Sequence, residues 1–201
     1  SVTELVTVDK TRPSIELNLD KVVAELLPGS EKNQEVINKV LDAGRLMLSA
    51  DSVGASQIML DKAVAYSLER KQFGRVIGSF QAVKHMCAEM AAELEPCHSM
   101  TWYAAHCYDH DPAQARLMAC HTKAHVSEVG KQISKTSTEV HGGMGFTDEL
   151  GLHYWFKRIG LNRQLLGSPE LVREEAARIQ NFDQSPAEGQ GNKEVGNPLL
   201  V

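Results

Sequence analysis

Two short segments of the 201-residue chain carry side chains of the kind that bind phosphorylated ligands. The first is the basic stretch over residues 66–81, in which Arg70, Lys71 and Arg75 surround the aromatic Phe73. Arginine and lysine side chains recognise phosphate oxygens, and an aromatic ring covers a planar heterocycle. The same composition is typical of a solvated connection between helices. Charge alone favours that exposed linker, with an anion site as the alternative.

The second segment is the glycine-rich sequence His-Gly-Gly-Met-Gly-Phe at 141–146. It follows a helical pattern, where glycine first indicates a helix stop and a tight turn. The glycines at 142, 143 and 145 are more than a stop requires, and they let backbone N–H groups approach a ligand closely. The spacing fits a turn and a binding loop equally well.

The eight histidines raise the possibility of a metal site. Glu95 and His98 reproduce half of the carboxylate–histidine pattern of di-iron helical bundles, but a second Glu-x-x-His is missing from the sequence. Two histidine pairs would share a helix face because they are four residues apart, namely His106 with His110 and His121 with His125. We expect surface or packing roles for these side chains and no metal, with a metal-binding bundle as a minor alternative.

Composition narrows the class of protein. The chain is 42% apolar, 23% charged and 5% aromatic, with a formal net charge of −5, which argues against a nucleic-acid partner. It has no apolar run long enough to cross a membrane, and we expect no secretory leader because Glu4 comes before any apolar run could form. Its four cysteines contain no Cys-x-x-Cys pair, which favours reduced thiols. We therefore expect a soluble, cytoplasmic protein.

Residue patterning predicts a short β-ribbon followed by a helical bundle. Residues 2–8 and 14–19 read as two strands, and a ribbon of two strands is marginal by itself. Helical periodicity then begins near Gln34 and continues to Tyr66. A second helix carries an apolar stripe from Phe80 to Ala104, and a third runs from Pro112 to Val140. Shorter helices are expected over 152–158 and 169–180, before a polar tail that we expect to be mobile. The fold class is mainly α, an up-and-down bundle.

Taken together, the motifs resemble the C-terminal helical domain of the acyl-CoA dehydrogenases. The resemblance rests on Ser-Leu-Glu-Arg-Lys-Gln-Phe-Gly at 67–74, Phe-Gln-Ala-Val at 80–83 and His-Gly-Gly-Met-Gly-Phe-Thr at 141–147. Their order and spacing match over residues 34–180, and residues 2–19 resemble the end of that family's middle β-domain.

The resemblance implies an FAD-dependent enzyme that introduces an α,β double bond into an acyl-CoA thioester. It also implies which residues approach the FAD, which in that family is held mainly by a neighbouring subunit. Glu139 stands where the family commonly has glutamine, so a hydrogen-bond donor is lost there. The implied cofactor residues are Arg70, Gln72, Phe73, Gln81, Glu139, Val140, His141, Gly142 and Gly143.

The family's catalytic glutamate has no counterpart in this chain. The two positions at which the family places it are occupied by Gly44 and Leu166, and neither residue accepts a proton. The resemblance places Asp42 and Arg45 along the channel for substrate and coenzyme A. A nearby acid could replace the base, and the candidates are Asp42, Glu149 and Glu170.

These observations lead to the hypothesis of a non-catalytic subunit in a heteromeric dehydrogenase, which lends cofactor contacts to a homologous partner that carries the glutamate. A dimer or tetramer is implied. A non-flavin structural or assembly subunit is the alternative. Residues 148–157 resemble actinobacterial members that act on bulky acyl thioesters, including those of steroid side chains. The expected domains are the end of the β-domain (1–30), the bundle (31–180) and a flexible tail (181–201).

Overall fold

The computed structural model describes residues 1–29 and 33–182, and the expected tail from residue 183 onward lies outside that range. A short ribbon precedes five helices, and a small hairpin separates the first two helices. The elements are strands β1 (Val2–Leu5) and β2 (Ser14–Leu17), helix α1 (Asn33–Glu69), strands β3 (Lys71–Gln72) and β4 (Arg75–Val76), and helices α2 (Gln81–His110), α3 (Pro112–His141), α4 (Leu152–Gln164) and α5 (Pro169–Ile179). The expectation of a mainly helical bundle after a β-ribbon is confirmed.

Helix α3 lies at the centre of the bundle and contacts α1, α2, α4 and α5. The apolar positions predicted for it are all buried, namely Val126, Val129, Ile133, Thr136 and Val140. The stripe predicted on α2 packs against this face through Met90, Leu94 and Cys97, and its Ala104 packs in a separate cluster with Leu46 and Ala119. On α2 and α3 the three-four spacing of apolar residues therefore predicted the buried faces, because it places these residues on one side of each helix.

Helix α4 is longer than the sequence indicated, since it continues to Gln164 rather than ending near residue 158. Its extra turns are fixed to α1 by polar contacts. The Asn162 amide donates to Asp51 Oδ2 at 2.6 Å and to Ser52 Oγ at 3.0 Å. Asn162 is buried, and such long-range contacts are invisible to a local pattern. Within the described residues, no helix is long and apolar enough to cross a membrane.

The ribbon joins the bundle through the loop between its strands. The buried Asp9 carboxylate accepts hydrogen bonds from the Thr11 backbone N–H at 2.9 Å and from Arg12 Nε at 3.0 Å. Arg158 of α4 then donates to Thr11 Oγ1 at 2.9 Å and to Asp51 Oδ1 on α1 at 2.7 Å. One arginine therefore links the ribbon, α1 and α4.

Candidate functional site

A pocket of about 400 Å³ lies where the end of α1 and the hairpin meet the end of α3. Its lining residues are Tyr66, Arg70, Gln72, Ile77, Val140, His141, Gly142, Gly143 and Met144. The two segments that sequence analysis singled out, some 70 residues apart in the chain, thus form one concave surface. It is large enough for part of a nucleotide cofactor.

The basic segment is an ordered hairpin and not an irregular linker. Strands β3 and β4 pair antiparallel, with Gln72 opposite Arg75. The two residues between them, Phe73 and Gly74, both have positive φ angles, of 53° and 78°. This is the backbone geometry that closes two-residue hairpins, and it is uncommon for a phenylalanine. The Phe73 ring at the tip of the turn is 91% exposed, and its centroid lies 6.1 Å from that of the Phe80 ring.

His141 forms a wall of the pocket. It is buried, and its Nδ1 lies 2.7 Å from the Ser137 carbonyl oxygen, so Nδ1 is the nitrogen that carries the donated proton. Its ring lies 4.6 Å from the ring of Tyr66, centroid to centroid. Burial lowers the pKa of His141, which favours the neutral imidazole.

The three glycines that follow His141 differ in what the fold demands of them. Gly142 has a φ angle of 59° and ends α3. A Cβ at Gly145 would lie 2.7 Å from the Thr138 carbonyl oxygen, so packing excludes a side chain there. Gly143 has an ordinary φ, and a Cβ there would meet none of the described residues within 4 Å. Its missing side chain serves neither the turn nor the packing, and it leaves the backbone open to a ligand.

Six of the nine cofactor residues implied by the resemblance line this pocket, and three lie outside it. Phe73 is at the hairpin tip, Gln81 is the exposed first residue of α2, and Glu139 is on the exposed face of α3. Sequence reasoning missed Tyr66, Ile77 and Met144. Tyr66 could have been found, because it precedes Arg70 by one helical turn and shares its face.

Gly44 of α1 and Leu166, in the turn between α4 and α5, are neighbours. An ideal Cβ built on Gly44 would lie 2.3 Å from Leu166 Cδ1. The leucine side chain therefore occupies the space that a side chain at position 44 would need. The two positions that the resemblance associates with the catalytic glutamate converge on one place, which in this chain is apolar.

Arg45 and Asp42 lie beneath that turn, and both are buried. Arg45 donates from Nε to the Leu166 carbonyl at 3.0 Å, from Nη1 to Asp42 Oδ1 at 3.3 Å and from Nη2 to Glu175 Oε2 at 2.8 Å. Burial raises the pKa of Asp42, although Arg116 and Arg45 oppose this. Both side chains face partners within the chain, so their place along a substrate channel stays a prediction.

The other two acids considered as replacement bases lie in exposed positions. Glu170 is in the first turn of α5 and pairs with Arg163 at 2.8 Å. Hydrogen bonds from Ser168 and its own backbone N–H lower the pKa of Glu170 to about 2, which makes it a poor proton acceptor. Glu149 is exposed in the loop before α4.

The described residues contain no group of three or more histidine, cysteine, aspartate or glutamate side chains arranged to hold a metal ion. His106 and His110 approach each other on α2, with ring centroids 4.7 Å apart. The four cysteines are all free thiols.

Comparison with known proteins assigns the bundle to a family. The acyl-CoA dehydrogenase C-terminal domain matches residues 34–180, which is most of the chain. The chain belongs to the acyl-CoA dehydrogenase family. Acyl-CoA dehydrogenase IpdE2 of Mycolicibacterium smegmatis is 29% identical over 169 residues, covering 84% of this chain and 51% of the relative. Caffeyl-CoA reductase-Etf complex subunit CarC of Acetobacterium woodii is 39% identical over 111 residues, covering 55% of this chain and 29% of the relative.

Solved acyl-CoA dehydrogenases share the fold. The glutaryl-coenzyme A dehydrogenase–glutaryl-CoA complex aligns with a TM-score of 0.82 at 25% identity, over 92% of this chain and 48% of that one. The Tcur3481-Tcur3483 steroid ACAD G363A variant aligns with a TM-score of 0.81 at 24% identity, over 91% and 49%. The chain thus spans about half the length, or less, of the relatives it matches.

Proposed function

We propose that this chain is a non-catalytic part of an FAD-dependent acyl-CoA dehydrogenase. In this proposal it contributes contacts to the FAD of a homologous subunit that carries the catalytic glutamate. The substrate is an acyl-CoA thioester, and thioesters of steroid side chains are one candidate, supported by the resemblance of residues 148–157. The observation that carries the proposal is the pocket that gathers Arg70, Gln72 and residues 140–143.

The chemistry of the pocket fits part of a dinucleotide. When bound, FAD accepts the hydride that leaves the acyl β-carbon. The exposed guanidinium of Arg70 is suited to the diphosphate, since charge-assisted hydrogen bonds to phosphate are strong and directional. Gly143 presents backbone without a side chain and without any demand from the fold itself. Tyr66 and the neutral His141 ring give a rigid wall against which a planar group can lie.

The same geometry supports a role without proton abstraction. Leu166 fills the space over Gly44, so an apolar contact occupies the place where a carboxylate would be required. Asp42 is buried against Arg45, and Glu170 has a low pKa. A homologous partner is the proposed source of the base.

Binding of ADP, used as the diphosphate-bearing part of FAD, tests the pocket on the full chain by isothermal titration calorimetry. Arg70→Met is expected to weaken binding by about 10- to 100-fold, because a charged hydrogen bond is worth ~1.5–3 kcal/mol. Arg173→Met on the exposed face of α5 is the matched control and should leave the affinity unchanged.

Gly143→Ala is expected to weaken ADP binding without loss of thermal stability. Gly160→Ala is its control, since a Cβ there also meets none of the described residues within 4 Å. Equal affinity in all four variants would overturn the assignment of this pocket.

A turnover assay tests the missing base. The full chain, loaded with FAD, should show no acyl-CoA dehydrogenation alone and should support activity when mixed with a homologous dehydrogenase that carries the glutamate. Full turnover by the isolated chain would contradict the proposal.

The alternative is an assembly subunit without flavin contacts, which the apolar contact between Leu166 and Gly44 also favours. Flavin absorbance of the purified assembly separates the two. If substituting Arg70 leaves the flavin content of the assembly unchanged, the assembly role is favoured.

A further inference from the structure

Lys123, at the centre of α3, is a buried cation with unusual partners. Its side chain belongs to the most deeply buried in the structure, with a relative exposure of 1%. Within the described part of the chain its ammonium pairs with no carboxylate and donates only to uncharged oxygens. Burying such a charge is costly, so its retention calls for a specific role.

Two of the three acceptors lie at one turn. Lys123 Nζ is 3.1 Å from the Arg163 carbonyl oxygen, in the last turn of α4, and 3.2 Å from the Gly167 carbonyl oxygen. The third acceptor, Ser127 Oγ at 3.3 Å, is on α3 itself. The lysine thus supplies donors for one carbonyl in the last turn of α4 and for one in the turn that follows, and its charge complements the helix dipole at the end of α4.

The turn at residues 165–167 needs such support. Leu166 has a φ angle of 57°, a left-handed conformation that costs a leucine roughly 1–2 kcal/mol. Gly167 follows with a φ of 109°. From helix α1, Arg45 Nε donates to the Leu166 carbonyl at 3.0 Å. Two cations from two helices therefore hold two consecutive carbonyls of a strained turn.

We propose that Lys123 is a positioning residue that fixes the turn at 165–167, so that the side chain of residue 166 stands over Gly44. We call these contacts of Lys123 and Arg45 with the turn the clamp. Within the turn they reach only the backbone oxygens of Leu166 and Gly167, so the clamp does not depend on which side chain position 166 carries. The inference rests on the proposed function, because only in that function does position 166 stand where related enzymes carry the catalytic base. The clamp decides where that side chain lies.

A disulfide between positions 44 and 166 measures the placement directly. An ideal Cβ at 44 lies 3.8 Å from Leu166 Cγ, which is where the sulfur of a cysteine at 166 would be, so Gly44→Cys with Leu166→Cys brings the two thiols within reach of a bond. Equilibration of the full chain in glutathione buffers gives the effective concentration of the pair, and peptide mapping identifies the bond.

In this background Lys123→Met, which keeps the volume but removes the donors, is expected to lower the effective concentration at least about tenfold. Lys123→Gln retains an amide donor and should lose less. Ser127→Ala removes the partner that is not part of the turn, and it is expected to stay within about twofold of the parent. The melting temperature of the Met variant should fall much less than the loss of effective concentration would suggest, since removing a buried charge is often neutral or stabilising.

An unchanged effective concentration in the Met variant, or in the Gln variant should the former not fold, would overturn the proposal. An equal loss in Ser127→Ala would also overturn it, because that would show general loosening of α3. The measurement requires no flavin, substrate or partner. Failure of ADP binding at the other pocket therefore leaves this result intact, and the reverse holds as well.

Discussion

The contact between Gly44 and Leu166 predicts a reversal of the usual effect of replacing a helical glycine. Alanine at an unconstrained glycine in a helix stabilises by roughly 0.5–1 kcal/mol. Gly54 provides this case in the same helix, because a Cβ there meets nothing within 4 Å among the described residues. Gly54→Ala is therefore expected to stabilise the chain by that amount.

Gly44→Ala should behave differently. Its Cβ would lie 2.3 Å from Leu166 Cδ1, so the leucine must retreat by more than about 1 Å to reach an ordinary contact. Rotating or shifting a partly exposed leucine costs about 0.5–1.5 kcal/mol, and the lost apolar contact adds to this. The expected result is a variant about 1 kcal/mol less stable than Gly54→Ala, because Leu166 Cδ1 is the end of a flexible side chain that can move aside.

A double-mutant cycle isolates the contact. In a Leu166→Ala background the space over Gly44 is free, so Gly44→Ala should gain roughly 0.5–1 kcal/mol, as Gly54→Ala does. Urea denaturation followed by circular dichroism measures all the free energies of unfolding. If Gly44→Ala stabilises the parent chain as much as Gly54→Ala, the leucine does not stand over Gly44 and the reasoning is refuted.

Three further outcomes are expected. Since burial lowers the pKa of Lys123 to about 8, the folded chain binds fewer protons than the unfolded chain between pH 8 and the ordinary lysine value. The free energy of unfolding relative to Lys123→Met should therefore rise by about 2.5 kcal/mol from pH 8 to about 10.4, measured by urea titration, and a flat difference would contradict it. Gly145→Ala should destabilise by roughly 1–3 kcal/mol, because its Cβ would meet the Thr138 carbonyl at 2.7 Å, and an unchanged melting temperature would count against this packing. Arg158→Met removes the bond to Thr11 that links the ribbon to α4, together with the bonds to Asp51. Amide exchange in residues 2–17 should therefore accelerate at least about tenfold more than in the bundle, whereas uniform acceleration would indicate a general loss of stability.

The local features of this fold, namely its helices and the glycine-rich end of α3, could be predicted from the sequence. Apolar spacing identified the buried faces of α2 and α3, because a helix repeats its buried face every three to four residues. It also located α1, but several apolar positions used for that helix are exposed, namely Val36, Val40, Met47 and Ile58. The glycines after His141 marked the end of α3, and Gly142 does adopt the positive φ that such an end requires. The motifs at 67–74 and 141–147 pointed to a cofactor pocket of a particular family, whose membership is confirmed.

The sequence by itself determined the helices, the family and the absence of a proton acceptor at positions 44 and 166. Only the tertiary structure decided that these positions touch, since 121 residues separate Arg45 from the Leu166 carbonyl it holds and local periodicity carries no information over that distance. It also decided which glycine is free for a ligand, because Gly143 and Gly145 differ only in what surrounds them. The role of Lys123 was likewise decided only by the tertiary structure. In the sequence it is an ordinary helical lysine, and its role follows from carbonyls that another helix places around it.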